Sequence, residues 1–168
     1  MDKKLKGDIS EQSVILECLK NGFNVSKPLG DRLKYDLILD VDDVLLKIQV
    51  KSVYKSKSRN LCCAGNIRTL TNRVNFKTKS YYVKDFDFVV AHFIDTNDFW
   101  IISSDIFCNN KKEFTIEFKN IKNSKSTYNP EFFKNAWSII RAAALNKQMQ
   151  YNSSNSVKPE SVVIPSQT

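Results

Sequence analysis

Tyr35-Asp36-Leu37-Ile38-Leu39-Asp40-Val41-Asp42-Asp43-Val44-Leu45-Leu46-Lys47-Ile48-Gln49-Val50-Lys51 decides how this chain folds. Two runs rich in Val, Leu and Ile flank Asp42-Asp43, a pattern that predicts strands over 35–41 and 44–54 joined by a tight turn. Asp-Asp is a weaker hairpin signal than Asn-Gly, but the even loop length suits a two-residue connection. With Val41 opposite Val44, paired positions sum to 85, so Asp36 faces Gln49. Their β-carbons are then expected ~5 Å apart. Lys51, two residues beyond Gln49, points to the same face. Leu46, Ile48 and Val50 point to the other face and supply a core. A four-residue loop keeps this pairing, whereas a three-residue loop shifts the register and turns Asp36 away.

One face of the hairpin thus gathers a carboxylate, an amide and an ammonium. These are the parts that phosphodiester hydrolysis needs. Asp36 can anchor Mg²⁺, a hard cation that prefers oxygen, with Gln49 and the Val50 backbone carbonyl as further ligands. Lys51 can orient or help deprotonate the attacking water, or stabilise charge on the phosphorane. The competing reading is an ordinary solvated sheet face carrying Lys47, Gln49 and Lys51.

N-terminal to the hairpin, a helix is predicted over 9–21 and closed by Gly22, with Asp8 as its N-cap. Glu11 lies on the stripe with Ile15, Cys18 and Gly22, where a carboxylate usually has a partner. Asp8-Ile9-Ser10-Glu11 also fits a capping box, and the two roles are compatible. Residues 23–25 read as a short extended segment, and Lys27-Pro28-Leu29-Gly30-Asp31 as a turn.

C-terminal to the hairpin the charge becomes one-sided. From Lys51 to Lys84 there are nine basic residues and no acidic one, while the whole chain carries +8. Everything outside that stretch therefore sums to −1. Such a run points to a polyanion, here double-stranded DNA, although a lysine-rich solvated surface is the plainer reading. The predicted DNA-contacting residues are Lys55, Lys57, Arg59, Arg68, Arg73, Lys77 and Lys79. Asn66, Asn72 and Asn75 join the arginines as candidates to read base edges from an exposed β-ribbon.

Strands are then expected over 86–94 and 99–103, with Asp95-Thr96-Asn97-Asp98 as their turn, and over 114–118. Asn129-Pro130 reads as the start of a second helix whose stripe is Phe132, Phe133, Trp137, Ile140 and Ala144. The fold class expected is α/β: one domain over 1–150 with a central mixed sheet flanked by helices and a basic DNA-contacting extension, then a flexible tail over 151–168. His92, in an apolar strand, and the four cysteines, which form no C-x-x-C pair, read as structural. Apolar runs far shorter than the ~20 residues of a membrane span, and lysines with no apolar stretch behind them, predict an intracellular, cytoplasmic protein.

Gly7 … Glu11, then Pro28-Leu29-Gly30-Asp31 … Tyr35-Asp36-Leu37, then Ile48-Gln49-Val50-Lys51 resembles the PD-(D/E)XK nuclease superfamily. More narrowly it resembles the group I intron homing endonucleases of cyanobacterial type. The later Tyr81-Tyr82 … Asp85-Phe86-Asp87-Phe88-Val89-Val90 … Trp100-Ile101-Ile102 is similar to that group too, so the likeness spans about residues 7–105. Tyr35 stands where the motif has proline, and Gln49 where it has an acid. The resemblance implies a restriction-endonuclease-like fold and a Mg²⁺-dependent endodeoxyribonuclease with Glu11, Asp36, Gln49 and Lys51 in the catalytic roles. Glu11, directly or through a water, would supply the charge that Gln49 lacks. It also implies a homo-oligomer, dimer or tetramer, that breaks both strands, with the helix through 132–144 as a possible interface. A junction resolvase, a restriction-type nuclease of the same superfamily, and a non-catalytic DNA-binding protein remain open at this stage.

Overall fold

The computed structural model describes residues 1–30, 32–55, 62–66, 68–72, 77–108, 113–117 and 130–155. For the strand residues between 54 and 80 and between 113 and 117, only the backbone is described.

Helix α1 (Lys3–Lys20) starts a turn and a half earlier than the sequence predicts. Asp2, in extended conformation, caps it by accepting from the Lys4 backbone N–H at 3.2 Å. Asp8 is therefore not the N-cap and the expected capping box at Asp8–Glu11 does not form. The Lys-Lys-Leu-Lys run propagates the helix well enough to outweigh Gly7, whose interior cost is only about 1 kcal/mol. Asn21 ends the helix and Gly22, at φ +74°, reverses the chain in left-handed geometry that disfavours a side chain. Ser10, Val14 and Cys18, spaced four apart, form its buried stripe.

The chain continues through β1 (Asn24–Ser26), β2 (Leu37–Val41), β3 (Val44–Lys55), β4 (Cys62–Asn66), β5 (Arg68–Asn72), β6 (Lys77–Ser80), β7 (Phe88–Phe93), β8 (Asp98–Ser103), α2 (Ser104–Cys108), β9 (Glu113–Glu117) and α3 (Ser138–Asn155). The strands expected over 86–94, 99–103 and 114–118 are all present, within two residues at each end. Five strands run side by side in the order β1, β2, β3, β7, β8; β3 and β7 are parallel and the other neighbours antiparallel. The far end of the long β3 leaves this body and pairs with β4, which pairs with β9, making seven strands in all. β5 and β6 form a separate two-stranded ribbon. The mixed sheet flanked by helices is as expected.

Both faces of the sheet are covered at its centre. Leu37, Leu39, Leu46, Ile48, Val50, Val90 and Ile101 pack under α1 and α3, against Val14, Cys18, Trp137, Ile140 and Ala144. On the other face Val53, Val89, Ala91, Trp100 and Ile102 meet Tyr81, Phe86 and Phe107. Burial on both sides explains why β7 reads as an unbroken apolar run rather than an alternating one. Its polar exception, His92, donates its Nε2–H to Asn97 Oδ1 at 3.0 Å, pairs through Nδ1 with Ser10 Oγ at 3.1 Å, and stacks on Phe99. The structural role expected for it fits these contacts.

The second helix does not start at Asn129-Pro130. Pro130–Phe133 makes one 3₁₀ turn, the chain stops at Asn135 in left-handed geometry (φ 50°), and α3 begins at Ser138. The reason is the exposed edge of β8. Asn135 donates its backbone N–H to the Phe99 carbonyl at 2.6 Å and accepts the Phe99 N–H on its side chain at 2.9 Å. Satisfying that edge outcompetes one more helical turn. Phe132 consequently stands 76% exposed, off the stripe that Trp137, Ile140 and Ala144 bury. At the other end α3 runs through 151–155, where a tail is expected, and the rest of that stretch lies outside the described residues. Among the described residues no helix is long and apolar enough to cross a membrane.

Candidate active site

The turn between β2 and β3 sets the site. Asp42 and Asp43 both take positive φ, 51° and 66°, the geometry of a type I′ turn, whose twist suits a hairpin. Pairing then runs from Val41↔Val44 to Leu37↔Ile48, the register expected from the even loop. Asp36, just before β2, donates its N–H to the Ile48 carbonyl at 2.8 Å, one position off that register. Its side chain lies beside Gln49.

Asp36 Oδ2 accepts the Val50 backbone N–H at 2.7 Å and a short hydrogen bond from Gln49 Nε2. The same Nε2 reaches the Val50 carbonyl at 3.1 Å. Gln49 is only 6% exposed, so the polar face is no ordinary solvated one. Burial pushes the Asp36 carboxyl above its ordinary range; the Glu11 charge adds to this, while the Val50 N–H, Lys51 and Lys27 oppose it. A carboxylate so placed gains from an added cation.

Glu11 comes from α1 and its carboxylate meets Lys27 Nζ at 2.5 Å. That hydrogen bond raises the Lys27 pKa against the lowering effect of burial. Glu11, Lys27, Asp36 and Gln49 line one cleft of about 360 Å³ together with Asp8, Pro28, Gly30, Leu33, Tyr35 and Tyr81. Lys51 joins it through Tyr81, donating Nζ to the phenol oxygen at 2.9 Å. Three of the four residues expected to act together thus line the cleft, and the fourth, Lys51, meets its wall at Tyr81. Lys27 and Tyr81 are the neighbours to which sequence reasoning attached no role. Lys27 sits in a turn and Tyr81 thirty residues from Lys51, and no local spacing links either to its partner.

The oxygens gathered here, two carboxylates, an amide and a main-chain carbonyl, are hard donors that fit a Mg²⁺-like ion. Among the described residues no group of three or more His, Cys, Asp or Glu assembles, here included, so the amide and main-chain oxygens would have to complete any metal shell. The basic residues follow on from the site. Lys55 ends β3, while Arg68, Lys77 and Lys79 sit on the β5–β6 ribbon, with Thr69 opposite Lys79. Asn66 ends β4 and Asn72 ends β5. Lys57, Arg59, Arg73 and Asn75 lie outside the described residues.

The PD-(D/E)XK endonuclease family matches residues 1–137, which include the hairpin, the cleft and the parallel β3–β7 pair. The chain belongs to the PD-(D/E)XK endonucleases. Its mixed sheet is the restriction-endonuclease-like fold. Among solved structures this PD-(D/E)XK endonuclease is similar to a bacterial homing endonuclease, I-Ssp6803I. The TM-score is 0.78 at 36% identity, over 88% of this chain and 99% of that one. No curated protein matches it.

Proposed function

We propose that this PD-(D/E)XK endonuclease is a homing-type enzyme that uses Mg²⁺ to cut both strands of double-stranded DNA at a long specific site. The observation that carries the reading is the hydrogen-bonded cluster of Asp36, Gln49 and the Val50 main chain, with Glu11 lining the same cleft and Lys51 held at its Tyr81 wall. The likeness to a homing endonuclease favours this job over a junction resolvase or restriction enzyme.

In this reading Asp36, Gln49 and the Val50 carbonyl hold the metal, and Glu11 contributes charge directly or through a water. When bound, the metal supplies an activated water and charge neutralisation at the phosphate. Gln49 now turns its NH₂ toward two oxygens, so presenting its own oxygen requires rotation of the amide. Burial raises the Asp36 pKa, and the Val50 N–H, Lys51 and Lys27 oppose that rise. Lys51 orients the attacking water or meets charge developing on the phosphorane. Lys55, Lys57, Arg59, Arg68, Arg73, Lys77 and Lys79 neutralise backbone phosphates, which makes affinity fall steeply with salt. One site cuts one strand, so a double-strand break calls for a dimer or tetramer.

The test is incubation with Mg²⁺ and a library of duplex targets, followed by sequencing of cut ends. Cuts at one long site support homing. Cutting only at four-way junctions, or at short recurrent sites, would transfer the activity to a resolvase or a restriction enzyme. Binding without cleavage, unchanged by Asp36→Ala, would reduce the protein to a DNA-binding module.

A further inference from the structure

Lys51 is carried on a long flexible stem, yet two contacts fix its head. Its Nζ donates to the Tyr81 phenol oxygen at 2.9 Å and lies 4.8 Å from the centroid of the same ring. The hydrogen bond sets a direction and the ring face sets a distance, so together they select one placement of the ammonium.

Tyr81 is itself immobilised. It is 7% exposed, packs edge-on against Phe86 with centroids 5.2 Å apart, and touches Phe107 of α2 at 6.5 Å. The 3₁₀ turn that follows it is pinned by Asp85, which accepts the Tyr82 N–H at 2.9 Å. Despite this burial Tyr81 lines the cleft with Glu11, Asp36 and Gln49. Its hydroxyl is spent on the lysine of the site.

We propose that Tyr81 is a positioning residue for the reaction, holding the Lys51 ammonium in its working place beside the cleft. The inference rests on the catalytic role given to Lys51. Tyr81→Phe keeps the ring, its packing and the cation–π contact, and removes only the hydroxyl. Single-turnover cleavage of a cognate duplex with Mg²⁺ is measured for wild type, Tyr81→Phe and Lys51→Met, alongside DNA affinity and Tm. Tyr81→Phe is expected to slow the cleavage step about ten- to a hundredfold, with Kd for DNA and Tm close to wild type. Tyr81→Leu, which loses the ring as well, is expected to be slower still.

A wild-type rate for Tyr81→Phe, with Lys51→Met inactive, overturns the inference and leaves the role of Lys51 standing. A wild-type rate for Lys51→Met overturns the role of Lys51 and the inference with it. A Tyr81→Phe protein that loses DNA affinity or Tm in proportion to its activity also overturns the inference, because Tyr81 then belongs to the scaffold alone.

Discussion

The two faces of the β2–β3 hairpin share one backbone and one turn but do opposite things. One presents Leu37, Leu39, Leu46, Ile48 and Val50 to α1 and α3, all buried in the main core. The other presents a buried Gln49 between half-buried Asp36 and Lys51, which carry charge and hydrogen bonds. Burial stabilises the first face by removing apolar surface from water. On the second face burial costs free energy, and what it yields is a polar cluster ready for chemistry. The difference predicts that mutations on the two faces separate activity from stability.

The largest effect is expected on the polar face. Asp36→Ala and Lys51→Ala should each lower Mg²⁺-dependent cleavage by about a thousandfold or more. DNA affinity, read by fluorescence anisotropy, should stay within about threefold, because the phosphate contacts proposed for the basic residues lie elsewhere. Loss of binding in step with cleavage would erase the contrast between the faces.

The apolar face should behave in the reverse sense. Ile48→Ala leaves a cavity under the helices and should destabilise the fold by about 2–5 kcal/mol in denaturant titrations. Cleavage per folded molecule should change little, since Ile48 points away from the cleft.

A subtler sharpening comes from pH. Asp36 has a folded-state pKa raised by burial, so its contribution favours the fold at low pH and is lost as pH rises through that pKa. Asp36→Asn cannot ionise, so its Tm should gain on that of wild type as pH rises from the acid range to neutrality. The same variant should be catalytically dead, which sets stability and activity against each other at one residue. A constant Tm difference across that range would show that burial does not burden Asp36.

The smallest effect concerns the turn that holds the faces in register. Asp42 and Asp43 tolerate positive φ but do not prefer it. Asn-Gly at these positions should raise stability by about 0.5–1 kcal/mol with cleavage unchanged. A drop in cleavage would mean that the carboxylates of the turn serve the site.

Much of this arrangement is readable in the chain because it is local. A two-residue loop and a period of two put Asp36 beside Gln49 with no knowledge of the rest of the molecule. The helix boundaries are less readable, each for a definite reason. Asp8-Ile9-Ser10-Glu11 has the chemistry of a helix start, but Asp2 caps first and nothing between them stops the helix. Asn129-Pro130 has the same chemistry, yet the β8 edge claims Asn135 and postpones α3 to Ser138. Local signals compete at such points, and a distant partner settles the outcome.

The sequence by itself determined the hairpin register, the shared face of Asp36, Gln49 and Lys51, and the one-signed charge that follows, because pleat, loop length and composition are properties of the chain. Only the tertiary structure decided that Gln49 on this face is buried with Asp36 and Lys51 half-buried beside it, that Glu11 of α1 meets Lys27 over the same cleft, and that Tyr81 grips Lys51. Those contacts join residues 16 and 30 apart. Packing makes them, and no spacing in the sequence encodes which long side chain will find which partner.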